Sequence, residues 1–245
     1  MQPVHSLTLV LSAVGGAAVA LLLPSKNPLF LRLLLAFSGA YLLATGVLDL
    51  LPHIYGSTHT HSDAAHGGHE LGWFVLLGFL VQLLFEALSQ GVEHGHQHMD
   101  SVQAGRIPWP MLMGLSLHAL VESLPIGAAP DSPEAAVLTR AIAVHNLPVG
   151  LVFFSLLRQL KLPVWATAFS FGFFVLMAPL GIALAGHFPA LQQSLPQLMA
   201  ITFGVFLHIS TVILFESSKG HGFNFIKLGV ILLAFAAAHF GHGHS

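Results

Sequence analysis

Cysteine does not occur anywhere in the 245 residues, which removes disulfides, thiolate metal ligands and cysteine nucleophiles together. Charge is scarce: Asp, Glu, Lys and Arg make up 7% of the chain, against roughly a quarter in a soluble globular domain. The formal net charge of −2 leaves no basic patch for nucleic acid, and that class of partner is excluded.

What fills the chain is apolar. It is 55% hydrophobic with a mean hydropathy of +0.79, the composition of an integral membrane protein. Histidine departs from this background: its 17 copies nearly equal the 8 basic and 10 acidic residues combined. The first apolar run, near 4–23, lacks the positively charged lead of a signal peptide, and its length suits a spanning helix.

A helix needs about 20 apolar residues to cross the hydrocarbon core. On that measure the sequence predicts an all-α chain of eight spans, near 4–23, 28–52, 71–92, 109–127, 134–158, 163–186, 196–216 and 224–240. Proline, glycine and histidine clusters separate them, and residues 1–245 read as a single transmembrane domain. The basic residues suggest the orientation. Lys26, Arg32, Arg106, Arg158, Lys161, Lys219 and Lys227 flank odd-numbered connections, and only Arg140 falls elsewhere. The positive-inside rule then places odd loops in the cytoplasm and, with eight crossings, both termini outside. A bacterial inner membrane is the expected location.

The histidines divide between loops and spans. His53, His59, His61, His66 and His69 mark an outer loop at about 53–69, and His94, His96 and His98 a cytoplasmic one at about 93–100. His239, His242 and His244 lie near the C-terminus. Imidazole suits Zn, Cu, Ni and Fe, and such tracts read as flexible metal collectors or as plain spacers.

Ionisable groups within spans are costly and usually mark an ion or proton path. His118 and Glu122, four residues apart in the fourth span, share a helical face. Zn²⁺ accepts both ligand types; the plainer reading is a structural His–Glu hydrogen bond. In the fifth span His145 and Asn146 precede Pro148 and Gly150. Proline there removes a backbone bond and frees a carbonyl near His145. His208 and Glu216 lie two turns apart on the seventh span as candidate ligand or relay, and Asp49 with His53 forms a candidate entrance. Gln82 and Glu86 share a face of the third span but stay outside the proposed ligand set. Small residues at Gly15-Gly16-Ala17-Ala18, Gly39-Ala40, and Gly181 with Ala183 and Ala185 fit close helix approach.

These motifs, in this order, resemble the ZIP family of divalent-metal transporters over nearly the whole chain. The segments that carry the resemblance are Leu48-Asp49-Leu50-Leu51-Pro52-His53, His118-Ala119-Leu120-Val121-Glu122, His145-Asn146-Leu147-Pro148-Val149-Gly150, Ala178-Pro179-Leu180-Gly181 and Gly204 to His208. The resemblance implies eight helices, external termini, and a mid-membrane metal site formed by His118, Glu122 and His145. Val149 stands where the family usually has a glutamate. Ala119 and Ala178 occupy two positions that help hold a second metal in some members, while Asn146 is retained. A single ion is therefore expected.

The expected function is a carrier moving divalent transition-metal ions toward the cytoplasm, Zn²⁺ foremost, with Fe²⁺, Mn²⁺ or Cd²⁺ as further substrates. Candidate partners are those ions, the lipid bilayer and a second copy of the chain. Two alternatives remain: an intramembrane zinc hydrolase using His118, His145 and His208 with Ser123 nearby, and a non-transporting metal sensor.

Overall fold

The computed structural model describes residues 2–22, 28–56, 64–89, 104–216 and 225–241. Within them the chain is helical: α1 Gln2–Leu22, α2 Pro28–Thr45, a π turn Gly46–Leu50, α3 Leu51–Gly56, α4 Ala64–Ser89, α5 Trp109–Ala128, α6 Pro133–Gln159, α7 Val164–His187, α8 Pro189–Gln193, α9 Leu195–Glu216 and α10 Phe225–Phe240. Seven helices among the described residues are long and apolar enough to span a membrane: α1, the α2–α3 unit, α4, α5, α6, α7 and α9.

This corrects the expected count of eight. The final apolar run is helical over 16 residues, Phe225–Phe240, which at 1.5 Å per residue covers about 24 Å. A hydrocarbon core of about 30 Å is longer than that. The helix packs along α2. Two external termini need an even number of crossings, which the seven spans among the described residues do not supply.

Two further boundaries differ from expectation. Residues 53–56 and 64–69 are helical, so His53 ends a helix and His66 and His69 begin one; residues 57–63 lie outside the described set. Hydropathy detects where the lipid begins, whereas the backbone hydrogen bonds of α4 continue beyond it into polar sequence. The second span is interrupted by its π turn, in which the Leu51 N–H reaches back to the Gly46 carbonyl. Pro52 follows directly and has no N–H to offer, so the ladder is rearranged where Asp49 sits.

The helices pair closely as α1 with α6, α5 with α7, α4 with α9, and α2 with α10. Glycines set the separations. A Cβ on Gly78 would fall 2.0 Å from the Ile201 carbonyl oxygen, and one on Gly204 2.0 Å from that of Val75, so α4 and α9 touch backbone to backbone. Large apolar side chains such as Leu7, Leu11, Trp73, Leu76, Leu80, Trp165 and Leu176 remain exposed, as expected where lipid is the solvent.

At one end of the bundle the Gly105 N–H donates to the Leu160 carbonyl (2.8 Å), and Arg158 Nη1 donates to the Ala20 carbonyl (3.4 Å). The ends of α1 and α6 and the start of the α5 approach therefore converge. At the other end His5 Nε2 lies 3.0 Å from the Pro130 carbonyl oxygen and its Nδ1 2.7 Å from Thr139 Oγ1. Those contacts tie α1 to the α5–α6 turn.

Candidate metal site

The sequence from Trp109 is apolar, and Pro110 lies in the first turn of α5, where its missing N–H removes no helical bond. The helix then runs far enough to carry His118 and Glu122 into the interior. Both are buried, with 2% and 0% of their surface exposed. His118 Nε2 stands 3.3 Å from Glu122 Oε2.

α6 supplies the next residue. Its start is set by Ser132, whose side chain accepts the Ala135 N–H (3.1 Å), and by Pro133 in the first turn. The helix continues through Pro148, which has no N–H for the carbonyl one turn earlier, next to His145. His145 is fully buried, and its ring centroid lies 5.9 Å from that of His118 with the planes perpendicular. Ser12 on α1 donates to the Ala143 carbonyl, a further bond at this part of α6.

α4 contributes two polar contacts. Gln82 Oε1 lies 3.0 Å from His118 Nδ1, and Glu86 Oε2 lies 2.5 Å from His208 Nε2. Phe79 packs edge-on against the His208 ring at 4.7 Å. His208, expected as ligand or relay, is thus tied to Glu86 on α4. Gln82 and Glu86 are the residues that sequence reasoning left out. Their signal was the four-residue spacing within an otherwise apolar span, which could not reveal the facing histidines.

The remaining candidates are dispersed. Asn146 is buried beside His145 in sequence. Asp49 is half-buried in the π turn. His53 pairs with Glu134 at the start of α6, Nδ1 to Oε1 3.0 Å, both partly exposed. Glu216 closes α9, but its side chain lies outside the described residues, as do His59, His61, His94, His96, His98, His242 and His244. Among the described residues no three His, Asp or Glu side chains form a ready-made metal cluster. The assembled element is the His118–Glu122 pair with the His145 ring alongside.

The neighbouring positions are apolar. Val149 and Ala119 pack in one cluster with Ala13, Leu115, Val152 and Phe153. Ala178 belongs to another, with Ile126 and Ile182.

Residues 89–242 match the family model described as ZIP Zinc transporter, more than half of the chain. The chain belongs to the ZIP family. It is 28% identical over 221 residues to the mouse protein named zinc transporter ZIP1, covering 74% of this chain and 68% of that one. Over 152 residues it is 30% identical to zinc transporter ZIP1 of Takifugu rubripes, covering 58% and 49%. Zinc transporter ZIP9 of Xenopus tropicalis is 24% identical over 209 residues, covering 75% and 69%. ZIP proteins carry divalent metal ions across membranes, and this bundle, with seven spans among the described residues, is a transporter rather than an enzyme. The hydrolase alternative falls with that assignment. Ser123, which had kept it open, donates its hydroxyl proton to the Leu120 carbonyl (2.9 Å). These relatives are vertebrate proteins and lend no support to a bacterial inner membrane.

Proposed function

We propose that this protein carries Zn²⁺ toward the cytoplasm through a single site between α5 and α6, formed by His118, Glu122 and His145. One observation carries the reading: the 3.3 Å between His118 Nε2 and Glu122 Oε2. Two ligands at about 2.0–2.1 Å on a tetrahedral ion stand about 3.3 Å apart. The pair is therefore spaced to clasp one zinc ion with little rearrangement. His145 supplies the third ligand by a rotation or small approach of its ring, and Asn146 or water completes the shell.

The names of the ZIP1 and ZIP9 relatives favour zinc as the ion. The apolar packing of Val149, Ala119 and Ala178 favours one ion over two and lowers the negative charge of the site. A carrier must release what it binds, and a site with one carboxylate holds its ion less tightly than a site with several.

Ions enter past His53 and Asp49 and leave toward Glu216 and the histidines at 94, 96 and 98. The end marked by the Gly105–Leu160 and Arg158–Ala20 contacts, with Arg106 and Arg158 beside them in the sequence, faces the cytoplasm by the positive-inside rule. Alternating access by movement of one helix group against another is the mode expected of such carriers.

Radiozinc uptake into proteoliposomes tests the reading. The unaltered protein should accumulate zinc, and Glu122→Ala should abolish uptake while the protein remains folded. Full uptake by Glu122→Ala would place the ion elsewhere.

A further inference from the structure

We propose that Gln82 on α4 is a positioning residue for the metal site: its amide oxygen accepts the His118 Nδ1 proton and holds the ring with Nε2 toward Glu122. This rests on the reading of His118 and Glu122 as ligands, and extends it to a residue outside the coordination shell.

The chemistry of the two side chains carries the argument. A neutral imidazole has one N–H and one lone pair, and fixing the partner of one nitrogen fixes the role of the other. An amide oxygen can only accept. With Gln82 Oε1 at 3.0 Å from Nδ1, the proton sits on Nδ1 and the lone pair on Nε2. Nε2 is the atom 3.3 Å from Glu122 Oε2. The two prospective donor atoms therefore face one point.

Burial makes the contact matter. Gln82 is fully buried and His118 is 2% exposed, so no bulk water competes for Nδ1. Without a partner on that nitrogen the ring could turn over, presenting Nδ1 and withdrawing Nε2. Histidine ligands almost always give their second N–H to a carboxylate, carbonyl or water, which sets ring orientation. Gln82 fills that place from another helix.

The backbone is built for this reach. A Cβ on Gly114 would fall 2.7 Å from the Phe85 carbonyl oxygen and 2.8 Å from the Ser89 nitrogen, so α5 lies against α4 one turn before His118. One turn beyond Gln82, Glu86 holds the His208 ring in a comparable way. The polar edge of α4 thus orients one histidine on α5 and another on α9.

The test compares Gln82→Leu, which keeps volume and removes the acceptor, with Gln82→Glu, which keeps an acceptor at the same reach. Zinc alone is titrated into the full-length protein in detergent, and uptake kinetics are measured in proteoliposomes. Gln82→Leu should weaken zinc binding about 10–100-fold and raise KM more than it lowers kcat. Gln82→Glu should restore both toward the unaltered values. Unchanged affinity in Gln82→Leu overturns the proposal and leaves the site reading intact. Loss of affinity in Gln82→Glu equal to that in Gln82→Leu also overturns it, because the contact would then need an amide donor. If Gln82→Leu does not fold, Gln82→Glu decides alone: retained affinity supports an accepting oxygen, and lost affinity refutes it. A Glu122→Ala control that still binds zinc at full strength would instead remove the underlying site, and the proposal with it.

Discussion

Gly15 and Gly16 are adjacent in α1, yet the packing assigns them opposite fates when changed to alanine. A Cβ on Gly15 meets nothing within 4 Å, whereas one on Gly16 would fall 2.1 Å from the Leu147 carbonyl oxygen and 2.8 Å from the Leu151 nitrogen. Ordinary contact begins at 3.4 Å, so α1 and α6 would have to part by about 1.3 Å to recover the dispersion contact. Both obstacles are backbone atoms of a helix and cannot fold away as a side-chain tip would. From the other side, a Cβ on Gly150 would fall 2.4 Å from the Ala13 carbonyl oxygen, so the approach is tight in both directions.

The helix-propensity gain of alanine over glycine, about 1 kcal/mol, is common to the two variants and cancels in their comparison. What remains is the overpacking cost, about 1–3 kcal/mol. Equilibrium unfolding in detergent should place Gly16→Ala below Gly15→Ala by that amount, with Gly15→Ala at or above the unaltered protein. Leu147 is two residues from His145, so the same displacement should weaken zinc binding in Gly16→Ala alone. Equal stability of the two variants, or the reverse order, would refute the α1–α6 packing on which the position of His145 depends.

Two acceptor atoms 3.3 Å apart hold either a metal ion or a proton, and metal ligands must be deprotonated to bind. Zinc uptake by proteoliposomes should therefore fall as the medium is acidified, and flux unchanged from neutral to mildly acid pH would count against the pair. Thr139→Val keeps its shape but leaves the buried His5 Nδ1 without its hydroxyl partner, costing about 1–3 kcal/mol. Thermal unfolding should report that loss while zinc affinity stays the same. Val149 lies one turn beyond His145 within an apolar cluster. In Val149→Glu a buried carboxylate should lower the melting temperature in chelator and zinc should restore it by linkage, whereas a chelator-insensitive melting temperature would show that position 149 does not face the ion.

Composition determined that this is a membrane protein, because a chain with 7% charged residues has too few polar groups to face water, and apolar runs of about 20 residues made it helical. The four-residue spacing of His118 and Glu122 likewise placed both on one face of one helix, since helical geometry needs no tertiary information. Hydropathy overcounted the spans, because it measures apolarity and not the length over which backbone bonds form; Phe225–Phe240 is apolar but short. It also missed the early start of α4, where polar residues continue the helix.

Contacts between helices were decided only by the tertiary structure. A spacing within one span cannot specify which residue of another span it meets. Glu86 meets His208, Gln82 meets His118, and His53 meets Glu134 because glycine-mediated approach and the order of helices in the bundle set those distances. Gly15 and Gly16 read alike in the sequence. Only the position of α6 makes one of them open and the other closed to a methyl group.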